Sequence, residues 1–184
     1  MKLRKIRDQI WQIEDILPAV KCENLIQETE SRGYQPATIN TDAGARTVSA
    51  VRNNLRVMYI DQPLADELWG LLKPHAPNQY GQSVSVGLNE MFRFYKYEPG
   101  QKFRKHRDES FIRNDTEASY FTVLLYLNDE FVGGETRFQD IEVKPKLGSA
   151  LIFAHMIEHE GAEILSGKKY VLRTDIMFRL KPMA

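Results

Sequence analysis

From about Gly87 to the C-terminus, the chain is a series of short apolar runs, each cut by a turn signal, and this constrains the fold more than any other feature. Glu90-Met91-Phe92-Arg93-Phe94-Tyr95-Lys96-Tyr97 alternates, is rich in aromatic residues and stops at Pro99-Gly100. Residues 120–127 are almost all apolar up to Asn128-Asp129, as suits a buried strand. Gly133-Gly134 marks a tight connection, residues 141–144 and 149–153 flank Pro145 and Gly148, and residues 169–180 read as a last long strand.

The first 86 residues mix helix and strand. Residues 20–33 read as a helix with Gly33 as its stop. A second helix is predicted from Asp61 as N-cap, with Pro63 in its first turn, Leu64, Leu68 and Leu71 on one face, and Pro74 ending it. Between the helices, 37–54 is polar and Leu55-Arg56-Val57-Met58-Tyr59-Ile60 looks like a strand. Helices first and antiparallel-looking strands after predict an α+β, mainly β, fold: a double-stranded β-helix, or jelly roll, with the N-terminal helices packed on one sheet. No linker or repeat divides the chain, so one domain is expected over 1–184, with a helix-rich part over 1–86 and a jelly-roll core over 87–184.

Lysine plus arginine equals aspartate plus glutamate, 25 each, which gives no support for a nucleic-acid or membrane surface as partner. Cys22 is the one cysteine, which excludes an intrachain disulfide and a cysteine-rich metal site. No secretory signal or membrane span is visible, so a reducing cytoplasm is the expected setting. Oligomeric state is left open.

The chemistry concentrates in Phe103-Arg104-Lys105-His106-Arg107-Asp108. In an extended strand, residues i and i+2 project to the same side, so His106 and Asp108 present an imidazole and a carboxylate together. His159 adds a distant second imidazole. Two nitrogens and one oxygen on one face of a metal leave three positions open, the arrangement of non-haem Fe(II) oxygenases. Zinc in a hydrolase also takes three protein ligands and stands as an alternative. His155, four residues before His159, is the rival for the second histidine and is otherwise expected beside the site.

These residues sit in a longer register. Tyr97-x-Pro99-Gly100-Gln101 precedes His106-x-Asp108, and Thr122-Val123-Leu124-Leu125-Tyr126-Leu127-Asn128 and Gly133-Gly134-Glu135-Thr136 follow. Then come Pro145-x-x-Gly148 and His159 with its downstream Gly167-x-Lys169-Tyr170. In this register residues 91–179 resemble the prolyl-4-hydroxylase-like branch of the Fe(II)/2-oxoglutarate-dependent dioxygenases. The resemblance implies a hydroxylase that attacks an unactivated C–H bond and releases succinate and CO2. It implies Fe(II) on His106, Asp108 and His159, 2-oxoglutarate as cosubstrate, O2, and ascorbate as a candidate accessory reductant. Retention of Asp108 argues against halogenation, since halogenating relatives lack that carboxylate.

The far carboxylate of 2-oxoglutarate needs a buried cation. Lys169 stands at the spacing that prolyl hydroxylases use. Arg173, four residues on, shares its strand face and offers a bidentate fork, and is preferred here. Leu172, Ile176 and Phe178 hold the opposite phase, and by pattern alone either phase could face inward. Tyr126 and Thr122 match family positions whose hydroxyls contact the cosubstrate, and Tyr95 and Tyr97 lead toward the metal. Phe103 departs from the tyrosine common in collagen-type prolyl hydroxylases. Gly133, Gly134 and Gly148 are expected to serve turns without touching the chemistry. Substrate contacts are expected from 37–54 and 109–119, with Arg46, Arg52, Arg113 and Glu117 as candidates. The substrate is a peptidyl proline or, alternatively, a free amino acid or other small metabolite. A reading of another class is a non-catalytic jelly-roll module that binds a partner protein.

Overall fold

The structure, a computed structural model, describes residues 2–37, 39–41, 44–46 and 53–181, with 39–41 and 44–46 described by backbone alone. An eleven-stranded sheet carries most of the molecule. Its main path runs through Lys2–Arg7, Ile10–Glu14, Ala150–Ala154, Glu117–Tyr126, Lys169–Leu180, Met91–Tyr97, Leu55–Ile60 and Gln35–Pro36, with every neighbouring pair antiparallel. A second, four-stranded sheet has the order Phe103–His106, His159–Gly161, Thr136–Arg137, Glu142–Val143. The two sheets form a jelly roll.

Strand periodicity sorts the two central strands into two cores. On Glu117–Tyr126, Phe121, Val123 and Leu125 turn to one side, with Leu127 just beyond the strand, while Thr122, Leu124 and Tyr126 turn to the other. On Lys169–Leu180, Tyr170, Leu172, Ile176 and Phe178 join the first core, and Lys169, Val171 and Arg173 face the space between the sheets. This explains why residues 120–127 lack alternation: both faces are buried.

The helices cover the first core. Helix Ala19–Arg32 contributes Cys22 and Leu25, and ends at Gly33 with φ 81°. Helix Gln62–Leu72 is capped by Asp61, whose Oδ1 accepts the Leu64 N–H at 2.9 Å. It buries Leu64, Ala65, Leu68 and Leu72. The predicted third position, Leu71, is only half-buried, because the buried face drifts to Leu72 at 3.6 residues per turn.

Several strands were not predicted, the N-terminal hairpin foremost among them. Lys2–Arg7 and Ile10–Glu14 form a hairpin on the edge of the large sheet, seating Ile10 and Ile13 in the two cores. The charged first residues hid it, since only its second strand is buried. The 1–86 part thus supplies both helices and also the strands Ile10–Glu14, Leu55–Ile60 and Ser83–Leu88.

Candidate metal centre

His106 and His159 are direct cross-strand partners in the small sheet, which brings two imidazoles 53 positions apart in sequence to a 4.2 Å ring separation. Asp108 lies just beyond the end of the His106 strand rather than on it, and its N–H donates to the His155 carbonyl at 3.1 Å. One donor atom from each of His106, Asp108 and His159 falls within 4.8 Å of the others. The imidazoles are oriented for ligation. Nδ1 of His106 lies 2.8 Å from the Arg104 carbonyl and Nδ1 of His159 lies 3.0 Å from that of Ile157. A carbonyl only accepts, so each Nδ1 carries the proton and each Nε2 keeps its lone pair. Those Nε2 atoms face the Asp108 carboxylate at 3.8 and 3.7 Å, too long for hydrogen bonds and open to a shared ion.

Electrostatics keep the group ready for a metal. Burial and the neighbouring His159 push His106 down to about 4, against the pull of Asp108. Burial likewise lowers His159. For Asp108, burial raises the pKa, but the Arg173 guanidinium, His159 and the Thr122 hydroxyl outweigh it and hold the carboxyl well below its ordinary range. Two neutral imidazoles and an ionised carboxylate are the protonation states that ligation needs. Phe103 stacks on His106 at 3.6 Å, and Phe153 meets His159 edge-on at 4.4 Å.

A cavity of about 40 Å³ leads inward from the triad. Tyr95, Tyr97, Leu124, Thr136, Lys169 and Arg173 are among its walls. Lys169 is 4% exposed, and its Nζ donates to the Gly134 carbonyl at 2.6 Å between the rings of Tyr97 and Tyr126. It forms no ion pair among the described residues, and burial lowers its pKa to about 8 despite Glu135. Arg173 is engaged differently: it reaches Asp108 at 3.1 Å and Asp175 at 3.2 Å. Its Nε is buried without a hydrogen-bond partner among the described residues.

Several expectations meet a different geometry. Tyr126 is buried and bonds Thr136 at 2.8 Å. Thr122 does not line the cavity; it donates to Asp108 Oδ2 at 2.5 Å from behind. Gly134 does more than turn: at φ +71° a side chain would be strained, its Cβ would have to displace the Ile164 Cδ1 methyl 2.4 Å away, and the Gly134 carbonyl holds Lys169. Arg113 and Glu117 are not among the cavity walls; Arg113 pairs with Glu90 and Glu117, and Glu117 pairs also with Arg179. The Arg46 side chain and all of Arg52 lie outside the described residues. Sequence reading missed Asp175, buried against Arg93 and Arg173, although its alternation with Arg173 placed it on the same strand face.

Residues 92–174 match the family model described as the 2OG-Fe(II) oxygenase superfamily. This match and the prolyl 4-hydroxylase relatives support the 2OG-Fe(II) oxygenase superfamily, prolyl-4-hydroxylase-like branch, as what the chain is similar to. A homologue from Acanthamoeba polyphaga mimivirus is 25% identical, over 86% of this chain and 70% of its own. Prolyl 4-hydroxylase 2 of Arabidopsis thaliana is 26% identical over 85% of this chain, and the match spans 63% of the plant protein. Among solved structures, the viral collagen prolyl hydroxylase vCPH from Paramecium Bursaria Chlorella virus-1, in its 2OG complex, shares the fold at TM-score 0.66 and 17% identity, covering 96% of this chain and 100% of that one. A Trichoplax adhaerens prolyl hydroxylase, solved with a hypoxia inducible factor oxygen degradation domain peptide fragment, has TM-score 0.71 and 14% identity over 91% of this chain and 83% of its own. For a 2OG-Fe(II) oxygenase, two imidazoles and a carboxylate on one side of an ion form a fitting donor set. A buried, unpaired lysine in the cavity beside them fits a dicarboxylate cosubstrate.

Proposed function

We propose that this 2OG-Fe(II) oxygenase binds Fe(II) through His106, Asp108 and His159, anchors 2-oxoglutarate on Lys169, and hydroxylates a prolyl residue in a peptide. The observation that carries this reading is the pairing of one oriented three-donor group with one buried ammonium that forms no ion pair among the described residues. Iron and 2-oxoglutarate, when bound, supply the oxidising chemistry that consumes O2 and yields succinate and CO2. The chain's own residues bind, orient and exclude water. Lys169 and Thr136, both in the cavity wall, would present donors to the far carboxylate, with the Tyr126 hydroxyl bonded to Thr136. Tyr95, Tyr97 and Phe103 wall it and limit water at the reacting centre. Arg173 bridges Asp108 and Asp175 and, in this reading, holds the metal carboxylate in place rather than serving as the main anchor.

A peptide substrate is favoured over a free metabolite by a groove of about 620 Å³ that shares Phe103, Glu160 and Gly161 with the inner cavity. Its other walls include Arg104, Lys105 and Arg137, so it offers an extended chain a polar bed. No described helix is long and apolar enough to cross a membrane. Within this proposal the buried free thiol of Cys22 accords with a reducing, cytoplasmic setting, and ascorbate is expected to prolong turnover.

The test is anaerobic mixing of the metal-free protein with Fe(II) and 2-oxoglutarate, followed by oxygen. A visible metal-to-keto-acid charge-transfer band, lost in His106→Ala, and release of succinate are expected. Hydroxyproline in proline-containing peptides, read by mass spectrometry, then identifies the substrate class. Folded protein that binds iron yet gives no band returns the zinc-hydrolase or binding-module reading to the front.

A further inference from the structure

Behind Asp108, Thr122 belongs to a buried polar cluster with Ser119 and His155, which none of the roles above uses; all three are at most 2% exposed. The His155 ring sits between two hydroxyls, with Nε2 2.9 Å from Ser119 Oγ and Nδ1 2.9 Å from Thr122 Oγ1. Ser119 Oγ accepts the Phe111 N–H at 2.8 Å, and Thr122 Oγ1 lies 2.5 Å from Asp108 Oδ2.

The proton positions follow, because each hydroxyl has one proton to give. Asp108, ion-paired with Arg173, can only accept, so the Thr122 proton points to it. The Thr122 oxygen must then accept from His155, which puts a proton on Nδ1. Were Nε2 protonated as well, the Ser119 hydroxyl proton would face no acceptor among the described residues. Nε2 is therefore bare and accepts from Ser119. All four bonds run one way, from the Phe111 amide through Ser119, His155 and Thr122 to Asp108. The 108–111 segment is pinned to the same residues at both ends, since Asp108 N–H donates to the His155 carbonyl and Ser119 N–H donates to the Phe111 carbonyl.

We infer that His155 is a positioning residue for the metal-binding carboxylate: as the neutral Nδ1–H tautomer it commits the Thr122 hydroxyl to Asp108 and sets the carboxylate's orientation. This rests on the reading of Asp108 as a metal ligand. A leucine could fill the same space, but it would leave the Ser119 proton without an acceptor and the Thr122 oxygen without its donor. A chain of aligned donors also polarises its last member, which strengthens the bond that Asp108 receives.

The experiment has two readouts. Long-range proton–nitrogen NMR of the metal-free protein reports the tautomer of each of the four histidines, and His155 is expected as neutral Nδ1–H. Fe(II) affinity is then titrated for wild type, His155→Asn and His155→Leu, with melting temperature recorded alongside. The asparagine amide restores an N–H near the Nδ1 position and is expected to bind iron within about 3-fold of wild type, whereas the leucine variant weakens binding by about 10-fold or more. An Nε2–H or doubly protonated His155, or a leucine variant with wild-type iron affinity, overturns the role. Should the leucine variant fail to fold, the tautomer and the asparagine variant decide: loss of iron binding in a folded His155→Asn protein counts against the donor role. A wild type that binds no Fe(II) sinks the metal reading and this role together; a wild type that binds while the leucine variant binds equally sinks only this role.

Discussion

Arg173 is bonded to Asp108 at 3.1 Å, while Lys169, on the same face of the same strand, makes no ion pair among the described residues. One cation is therefore committed to the Asp108 carboxylate, and in the proposed reading the other is left for the cosubstrate. Arg173→Met is expected to weaken Fe(II) binding, because truncating one partner of a buried charge pair costs about 2 kcal/mol or more. Its effect on 2-oxoglutarate affinity at saturating metal should be smaller. Calorimetric titration of metal and cosubstrate separately checks this order.

Lys169→Ala should show the opposite pattern. Loss of the buried ammonium is expected to raise the 2-oxoglutarate Kd by roughly 30-fold or more, with Fe(II) affinity little changed. In the unliganded protein burial lowers this lysine to about 8, so it loses its charge as pH rises through that value. Cosubstrate affinity should then fall above pH about 8, and binding there should take up a proton. Titrations in two buffers of different ionisation enthalpy measure that uptake.

His106, also lowered first by burial, sets a pH dependence of stability. Its folded pKa, about 4, lies below its ordinary 6.5, so between these values the unfolded chain binds a proton that the folded one does not. The metal-free protein should therefore lose stability as pH falls from 6.5 toward 4. Urea unfolding of chelator-treated protein across that range should show the decline, and His106→Asn should flatten part of it.

Gly134→Ala is expected to destabilise the fold by about 1–3 kcal/mol, since the added methyl meets Ile164 and the backbone must keep a positive φ. Because the Gly134 carbonyl also holds Lys169, 2-oxoglutarate affinity should fall in the same variant. Urea unfolding and cosubstrate titration of one preparation test both parts.

The sequence by itself determined the strand-rich jelly roll, the two helices with Asp61 and Gly33 at their ends, and the grouping of His106, Asp108 and His159. The strands and helix ends rest on local rules, alternation and capping chemistry, whereas the triad was read from its place in a longer motif register, and cross-strand pairing brings its two histidines together. Tertiary structure decided which phase of the last strand faces inward. Alternation gives two equivalent faces, and only the helices, by covering Leu172, Ile176 and Phe178, leave Lys169 and Arg173 to the space between the sheets. It also decided what each cation pairs with, because the Asp108 and Gly134 partners lie far away in sequence and meet these residues only through sheet register. For the same reason Thr122 came out behind the carboxylate, donating to Asp108 beside His155: residue types name the donors and acceptors, and the packed fold sets which way each proton points.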